Sequence, residues 1–298
     1  MKLFITGATG FIGKHLVVKY LTEGHDLTIN LYQKEQSPFD PQVKTWQLNE
    51  NNPQVDIDFF LQQNFDGIIH LASLYLKDHN IHQAVKLIDS NVRFGTHLLE
   101  CAAQSDVKWF INTGTFWQHY NDSDYSPVNL YSASKQAFEA IAQYYIDTNK
   151  IMFQTLKLSD TYGPNDTRPK IFNLWKNIAH SGEELNMSRG EQLIDITHVD
   201  DIVAAFYQLS DQIQSNRLNY PNGTSFAVKA EKKYSLKELA DIFERVSGTK
   251  LHVNWILDYR PREVMIPWTK GVPVPGWSPK ISLEEGIQAF INETIRSV

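Results

Sequence analysis

Three glycines between an apolar run and a predicted helix constrain the fold of this chain more than any other feature. The run Lys2–Thr6 predicts a buried strand, and residues 15–21 predict a helix. Gly7, Gly10 and Gly13 lie between them, each three residues from the next. A helix that begins at such a turn attracts phosphate, because its free N–H groups and its dipole favour an anion. The stretch therefore predicts the first strand and helix of a dinucleotide-binding sheet.

Each glycine of this turn has a separate role in such a site. Gly7 allows the tight turn, Gly10 lets the backbone approach the pyrophosphate, and Gly13 lets the helix pack closely on the strand. The G-x-x-G-x-x-G spacing resembles the extended short-chain dehydrogenases/reductases, the NAD-dependent epimerase/dehydratase family. This resemblance implies that other residues of the turn also bind the cofactor, namely Thr9, Phe11 and Ile12. A glycine-rich turn without a ligand is the alternative.

Length and composition limit the possible classes of protein. A chain of 298 residues suits one large α/β domain or two closely joined lobes. A net charge of −6 and a pI near 5.9 argue against nucleic acid and acidic membrane surfaces as partners. The single cysteine, Cys101, excludes an internal disulfide and favours a reducing cytoplasm. No apolar run approaches the roughly 18 residues that a membrane span requires, and the sequence predicts no metal site.

Strand and helix patterns alternate along the chain. The predicted strands are 26–32, 43–48, 66–73, 107–113, 151–158 and 225–228, and the main predicted helices are 81–104, 131–149 and 282–295. This alternation indicates a parallel sheet covered on both faces. We predict a Rossmann-type, doubly wound α/β sheet at 1–165 plus 195–230. The resemblance implies a smaller, mostly C-terminal α/β substrate lobe at 166–194 plus 231–298.

The end of the second predicted strand bears on the choice of cofactor. NAD-specific folds place an acidic residue there to bind the adenosine ribose 2′-hydroxyl. Here the segment 30–34 reads Asn-Leu-Tyr-Gln-Lys and has no acid. Lys34, and Lys14 at the start of the first helix, would both suit a 2′-phosphate. The sequence therefore favours NADP over NAD, with two solvated surface lysines as the alternative.

A tyrosine and a lysine four residues apart suggest the chemistry. Tyr131 and Lys135 share one face of a predicted helix. The ordinary tyrosine pKa of about 10 is too high for acid–base work at neutral pH. A nearby lysine cation is expected to lower it. Tyr131 would then donate a proton to a carbonyl oxygen while a nicotinamide donates hydride to the carbonyl carbon, and Lys135 would by resemblance hold the nicotinamide ribose.

Other motifs resemble the same family in the same order. Thr115 ends the strand before the Tyr131 helix, and the resemblance implies that its hydroxyl orients the substrate oxygen. Thr113 is the competing candidate for that role. Two further segments resemble family motifs, the strand end at 66–73 and the corner at 162–164. The resemblance implies cofactor contacts from Leu71, Ala72, Ser73, Asn91, Thr113 and Asp160.

The residues after Thr115 depart from one branch of the family. Sugar-nucleotide 4,6-dehydratases have an Asp-Glu pair there, which supplies the acid and base for the elimination of water. Here the pair is Phe116-Trp117, so the dehydratase interpretation fails. Trp117 and Gln118 are expected to face the sugar, with core packing as the alternative.

A second departure concerns the nucleotide diphosphate. Ile194 stands where the family usually has an arginine that contacts the diphosphate. Arg189 is a possible substitute, and Arg168, Arg260 and Arg262 are further candidates, since guanidinium groups match the geometry of phosphates. Any one of these arginines alone would be interpreted as a surface residue.

Segments 112–120 and 189–192 resemble CDP-abequose and CDP-paratose synthase-like reductases. The resemblance implies NADPH-dependent reduction of an NDP-4-keto-6-deoxyhexose at C4 in deoxysugar and surface polysaccharide biosynthesis. The alternative is a sugar-nucleotide 4-epimerase with tightly bound NAD⁺, and a second alternative is a non-catalytic NADP-binding regulator. Family members also often pair through the helices at 81–104 and 131–149, which implies a homodimer.

Overall fold

The computed structural model describes residues 1–32, 36–49 and 51–292. The strands are β1 (Lys2–Thr6), β2 (Asp26–Asn30), β3 (Lys44–Trp46), β4 (Gly67–His70), β5 (Trp109–Thr115), β6 (Met152–Leu158), β7 (Asp160–Tyr162), β8 (Leu185–Ser188), β9 (Leu193–Ile194), β10 (Ile196–His198), β11 (Ser225–Val228), β12 (Tyr234–Ser235), β13 (Val253–Leu257) and β14 (Val272–Pro273). The α-helices are α1 (Phe11–Thr22), α2 (Pro53–Gln63), α3 (Ile81–Ile88), α4 (Phe94–Ala103), α5 (Leu130–Asp147), α6 (Ile171–Ser181), α7 (Val199–Gln214), α8 (Leu236–Ser247) and α9 (Leu283–Asn292).

Eight parallel strands form the central sheet in the order β14-β11-β6-β5-β4-β1-β2-β3. Successive side chains of a strand point to opposite faces, so Leu3 and Ile5 pack into one core and Phe4 into the other. Helices α1 and α7 cover the first face, and α2, α4 and α5 cover the second. Burial on both faces explains why these strands are continuous apolar runs. The predicted doubly wound sheet is confirmed.

The strand order reverses beside β1, which places a crevice at the carboxyl ends of β1 and β4. The chain runs from β1 outward to β2 and β3, and then returns to β4 on the other side of β1. In open α/β sheets ligands bind at this reversal. The glycine turn after β1 and the segment after β4 meet there.

A third apolar cluster lies outside the large sheet. It joins α6, α8 and α9, with Phe172, Trp175 and Phe243 among its buried residues. Strands β8 and β13 pair in this region, as do β9 and β12. One part of the C-terminal segment departs from the predicted lobe, because β14 pairs with β11 in the large sheet. The division into two domains stays a prediction.

The predicted helix at 81–104 contains a π-helical turn. Its α-helical parts are separated by Asp89–Arg93, whose hydrogen bonds are one residue wider than those of an α-helix. At the C-terminus, α9 ends at Asn292 within the described chain, and the rest of the helix predicted at 282–295 lies outside the described residues.

Candidate active site

A cavity of about 1100 Å³ opens at the carboxyl ends of the central strands. It begins at the glycine turn, passes the start of α5, and ends at the loop around residues 260–267. The structure brings most of the predicted site residues together in its lining: Gly7, Gly10, Phe11, Ile12, Gly13, Leu71, Ser73, Thr113, Thr115, Trp117, Tyr131, Lys135, Asp160, Arg168 and Arg262. These residues come from segments that lie far apart in the sequence.

The glycine turn leaves no room for side chains. Gly7 has a φ of +69°, and a Cβ placed on it would lie 2.6 Å from the backbone nitrogen of Ala72. A Cβ on Gly13 would lie 2.1 Å from the carbonyl oxygen of Gly7. Gly10 precedes α1, and no side chain of the described residues caps that helix. The uncapped helix start at the floor of a cavity is suited to an anion.

The two lysines predicted to bind a 2′-phosphate, Lys14 and Lys34, are not found in the cavity lining of the described chain. Lys14 is exposed and lies outside the cavity lining found for the described chain. Lys34 lies outside the described residues. Asn30, at the end of β2, is buried, and its Oδ1 accepts a hydrogen bond from the backbone N–H of Leu48 at 3.2 Å.

Asn91 holds the cavity wall and does not line the cavity. It lies in the π-helical turn and is 1% exposed. Its Oδ1 accepts hydrogen bonds from the backbone N–H of Leu74 (2.8 Å) and from Ser73 Oγ (3.1 Å), and its Nδ2 donates to Ser134 Oγ (2.9 Å). Asn91 is therefore not among the residues that line the cavity, and its cofactor contact stays a prediction. The side chain instead ties the segment after β4 to α5.

The local folding of α5 positions Tyr131 and Lys135. Asn129 caps the helix, because its Oδ1 accepts a hydrogen bond from the backbone N–H of Ser132 at 3.0 Å. The helix therefore begins at Leu130, and Tyr131 and Lys135 both line the cavity. Across the cavity, Thr115 ends β5, and its Oγ accepts a hydrogen bond from the backbone N–H of Trp117 at 3.3 Å.

Burial shifts the pKa values of Tyr131 and Lys135 in opposite directions. It raises the pKa of Tyr131 to about 12, although a hydrogen bond with Ser73 opposes the change. It lowers the pKa of Lys135 to about 8, opposed by the negative charge of Glu139. The expected lowering of the Tyr131 pKa is therefore wrong for this structure, since burial outweighs the hydrogen bond with Ser73 and the charge of Arg168. Tyr131 is a phenol at neutral pH, which is the form that donates a proton.

One wall of the cavity combines aromatic rings with a cation. The rings of Tyr75 and Tyr131 meet edge to face at 5.1 Å, and those of Tyr75 and Trp117 lie 5.7 Å apart. Lys170 Nζ lies 4.9 Å from the Tyr75 ring centroid and 3.4 Å from Asp160 Oδ1. Sequence reasoning missed Tyr75 and Lys170. Tyr75 lies two residues after the segment 71–73, and this proximity is the one signal that pointed to it.

Arg168 and Arg262 present guanidinium groups to the cavity. Arg168 donates two hydrogen bonds of 2.7 Å to the carboxylate of Asp166, and its guanidinium lies 4.4 Å from the Phe11 ring. Arg262 has a φ of +59° and donates to Ser126 Oγ at 2.8 Å. Both side chains therefore lie at the cavity, and their contact with a diphosphate stays a prediction.

Two residues predicted for the substrate site, Gln118 and Arg189, do not line the cavity found in the described chain. Gln118 is fully buried, because a short 3₁₀ turn after Thr115 carries it inward, where its Oε1 accepts from the backbone N–H of Thr115 at 2.9 Å. Arg189 pairs with Asp258 at 2.9 Å on the surface and lies outside the cavity lining of the described residues.

A carboxyl group that sequence reasoning did not assign also lines the cavity. Asp195 is 3% exposed, and burial raises its pKa to about 6. Within the described residues, no cluster of His, Cys, Asp and Glu is suited to a metal ion, and no helix is long and apolar enough to cross a membrane.

Comparisons with known proteins agree with this geometry. A sequence profile described as the NAD dependent epimerase/dehydratase family matches residues 3–220. CDP-abequose synthase of Salmonella typhimurium is 25% identical over 297 residues, which covers 97% of each chain. Two solved UDP-glucose 4-epimerases superimpose at 19% identity. The Thermotoga maritima enzyme with UDP-glucose has a TM-score of 0.82 over 98% of both chains, and the Thermus thermophilus enzyme with NAD has 0.80 over 100%. These findings confirm the predicted fold class and family resemblance.

Proposed function

Because this chain belongs to the NAD dependent epimerase/dehydratase family, we propose that it reduces the C4 ketone of a nucleoside-diphosphate 4-keto-6-deoxyhexose. The observation that carries this proposal is the meeting of Thr115, Tyr131 and Lys135 with the glycine turn in one cavity. The residues after Thr115 are Phe116 and Trp117, so the carboxylates needed to eliminate water are missing from that position. The similarity to CDP-abequose synthase supports a CDP-sugar as the first substrate to test.

The glycine turn fits a nicotinamide dinucleotide. Gly7 and Gly13 let the turn pack against the backbone of Ala72 and Ala8, and Gly10 lies at the uncapped start of α1, where a pyrophosphate would find free N–H groups. NADPH bound in this cavity would supply the hydride. We favour NADP because the described end of β2 has no carboxylate, its Asn30 being occupied by Leu48.

The residues around Tyr131 are suited to proton donation. Reduction adds a hydride to C4 and a proton to the C4 oxygen. Tyr131 keeps its proton at neutral pH because burial raises its pKa to about 12. A phenol in this state favours donation to a ketone oxygen over removal of a proton from an alcohol, and Thr115 orients the same oxygen by hydrogen bonding.

The arrangement of cations supports a diphosphate in the outer part of the cavity. Arg168 and Arg262 line it, and guanidinium groups attract phosphate, although Nε and Nη2 of Arg168 already donate to Asp166. A second cavity of about 410 Å³ shares Trp117, Asp160 and Lys170 with the first, so the two form one cleft. A cleft in two parts suits a cofactor and an elongated nucleotide sugar together.

The experiment measures NADPH oxidation with CDP-, dTDP-, UDP- and GDP-4-keto-6-deoxyhexoses. We expect turnover by the wild type and a loss of about 10²–10⁴-fold in kcat for Tyr131→Phe. Tyr144→Phe is the matched control, since Tyr144 lies on the same helix and is 63% exposed. Undiminished turnover by Tyr131→Phe would exclude the proposed proton donor. A wild type that binds NADPH but reduces none of the sugars would favour the non-catalytic regulator.

We also propose that the protein is a homodimer. Helix α3 exposes Ile81 (75%), Val85 (60%) and Ile88 (44%) on one face, and α5 exposes Tyr144. Apolar side chains at this helical spacing suit a helix-to-helix interface. Light scattering after gel filtration should give twice the chain mass for the wild type and the chain mass for Val85→Glu. A monomeric wild type would refute this interface.

A further inference from the structure

A buried group of charges lies on the helix face that carries Tyr131 and Lys135. Glu139 follows Lys135 by one turn of α5, as Lys135 follows Tyr131. Glu139 Oε2 pairs with Lys157 Nζ of β6 at 3.3 Å, and the two side chains are 11% and 5% exposed. Glu139 Oε1 accepts a hydrogen bond from Gln118 Nε2 at 3.0 Å. Both carboxylate oxygens are therefore fixed.

Lys157 has a second buried partner besides Glu139. His119 Nδ1 donates to the backbone carbonyl of Asp124 at 2.7 Å, so the lone pair of this imidazole is on Nε2. Lys157 Nζ donates to that Nε2 at 3.1 Å. Burial and the Lys157 cation lower the pKa of His119 to about 4, so the ring is neutral. The indole of Trp268 stacks on the same ring at 4.0 Å.

Lys135 has no comparable partner in the described chain. It is 3% exposed, and no described carboxylate lies within 4.0 Å of its ammonium. The titratable groups that face it are Tyr131 and Glu139 of α5, His70 of β4 and, through Glu139, Lys157 of β6. Burial and Lys135 lower the pKa of His70 to about 3, so this imidazole is neutral. Glu139 is therefore the nearby negative charge that favours an ammonium at Lys135.

We propose that Glu139 is a positioning residue, whose carboxylate, shared with Lys157, keeps Lys135 a cation one helical turn from Tyr131 at the cavity wall. The packing around Glu139 and Lys157 supports this proposal, because the neighbouring backbone leaves room for both partners of the carboxylate. A Cβ on Gly114 would lie 2.8 Å from Lys157 Cγ and 3.0 Å from Gln118 Oε1, so a glycine between Thr113 and Thr115 makes room for it. Buried ion pairs add little net stability, because desolvation offsets their attraction.

The test follows the ionisation of Lys135 directly. The full chain is labelled with ¹³C at the lysine Cε, the Lys135 resonance is assigned with Lys135→Met, and its chemical shift is titrated. In Glu139→Gln the carboxylate charge is lost, and the midpoint should fall by about one pH unit. In Lys157→Met the carboxylate acts on Lys135 alone, and the midpoint should rise. Glu139→Asp keeps the negative charge, so its Lys135 midpoint should equal that of the wild type.

Asp147→Asn is the control, because Asp147 lies on the same helix but is exposed. If Glu139 had a purely structural role, the Lys135 midpoint would be unchanged in Glu139→Gln and in Lys157→Met. That result would overturn the proposal. Should Glu139→Gln not fold, Lys157→Met decides the question, because a higher Lys135 midpoint supports the proposal and an unchanged one overturns it. The inference rests on the proposed function only for a second measurement, the pH dependence of kcat. The pH above which kcat falls should shift in the same direction as the Lys135 midpoint. A shifted midpoint without turnover would refute the proposed function and leave the electrostatic role intact.

Discussion

Replacing Gly7 by alanine tests how tightly the glycine turn is built. Gly7 has a φ of +69°, a conformation that costs an L-residue about 1–2 kcal/mol. The new Cβ would also lie 2.6 Å from the nitrogen of Ala72 and 2.8 Å from the carbonyl carbon of Leu71, which are backbone atoms that cannot rotate away. Such overpacking costs about 1–3 kcal/mol more. We expect Gly7→Ala to lower the free energy of unfolding by about 2–5 kcal/mol.

Gly24→Ala is the matched control for this prediction. Gly24 has a φ of +75°, and a Cβ there would have no described atom within 4 Å. It should lose only the conformational part, about 1–2 kcal/mol. Urea denaturation measures both variants, and fluorescence titration measures NADPH binding, which we expect only Gly7→Ala to weaken. An equal loss of stability in the two variants would refute the argument that the backbone contact of Gly7 matters.

Three further predictions concern separate parts of the molecule. Arg168→Lys should raise the KM for the nucleotide sugar about 10–100-fold in steady-state assays, because lysine cannot keep the paired contact with Asp166 that holds this cation at the cavity. Arg189→Lys should leave KM unchanged. Asp56→Ala should lower the free energy of unfolding by about 3 kcal/mol or more in urea titrations, because the buried carboxylate accepts hydrogen bonds from Trp46, Asn49 and His97. The kcat should fall as pH rises through about 8, where the Lys135 cation is lost, and a flat profile up to pH 10 would contradict this.

Local signals in the sequence were sufficient to predict the sheet and the inner part of the site. The glycine spacing, the apolar strands and the Tyr131–Lys135 spacing are each properties of a few adjacent residues. They place Gly7 and Gly13 at the crevice and Tyr131 and Lys135 on one face of α5, as the structure has them.

The predicted site residues that do not line the cavity are placed by features that the local sequence does not reveal. Arg189 is held outside the cavity by Asp258, which is 69 residues away. Gln118 is turned inward by a single 3₁₀ turn and held by the backbone of Thr115 and by Glu139. Asn91 lies in a π-helical turn, which no helical periodicity reveals.

The direction in which the Tyr131 pKa shifts could not be predicted from the Tyr131–Lys135 spacing. Two residues one helical turn apart indicate a charge effect, whereas the larger effect is burial of the phenol in the cavity wall beside Tyr75. Burial is set by the whole fold, so it could not be weighed from a four-residue spacing.

Transfer of an isotope from the cofactor to the sugar tests the central claim most directly. NADPH that carries two deuterium atoms at C4 of the nicotinamide is incubated with the enzyme and a CDP-4-keto-6-deoxyhexose, and the product is analysed by NMR. The account predicts deuterium at C4 of the sugar, in proportion to the NADPH consumed, and its disappearance in Tyr131→Phe. Interconversion of C4 epimers without label in the sugar, by an enzyme that releases NAD⁺ only when denatured, would contradict it.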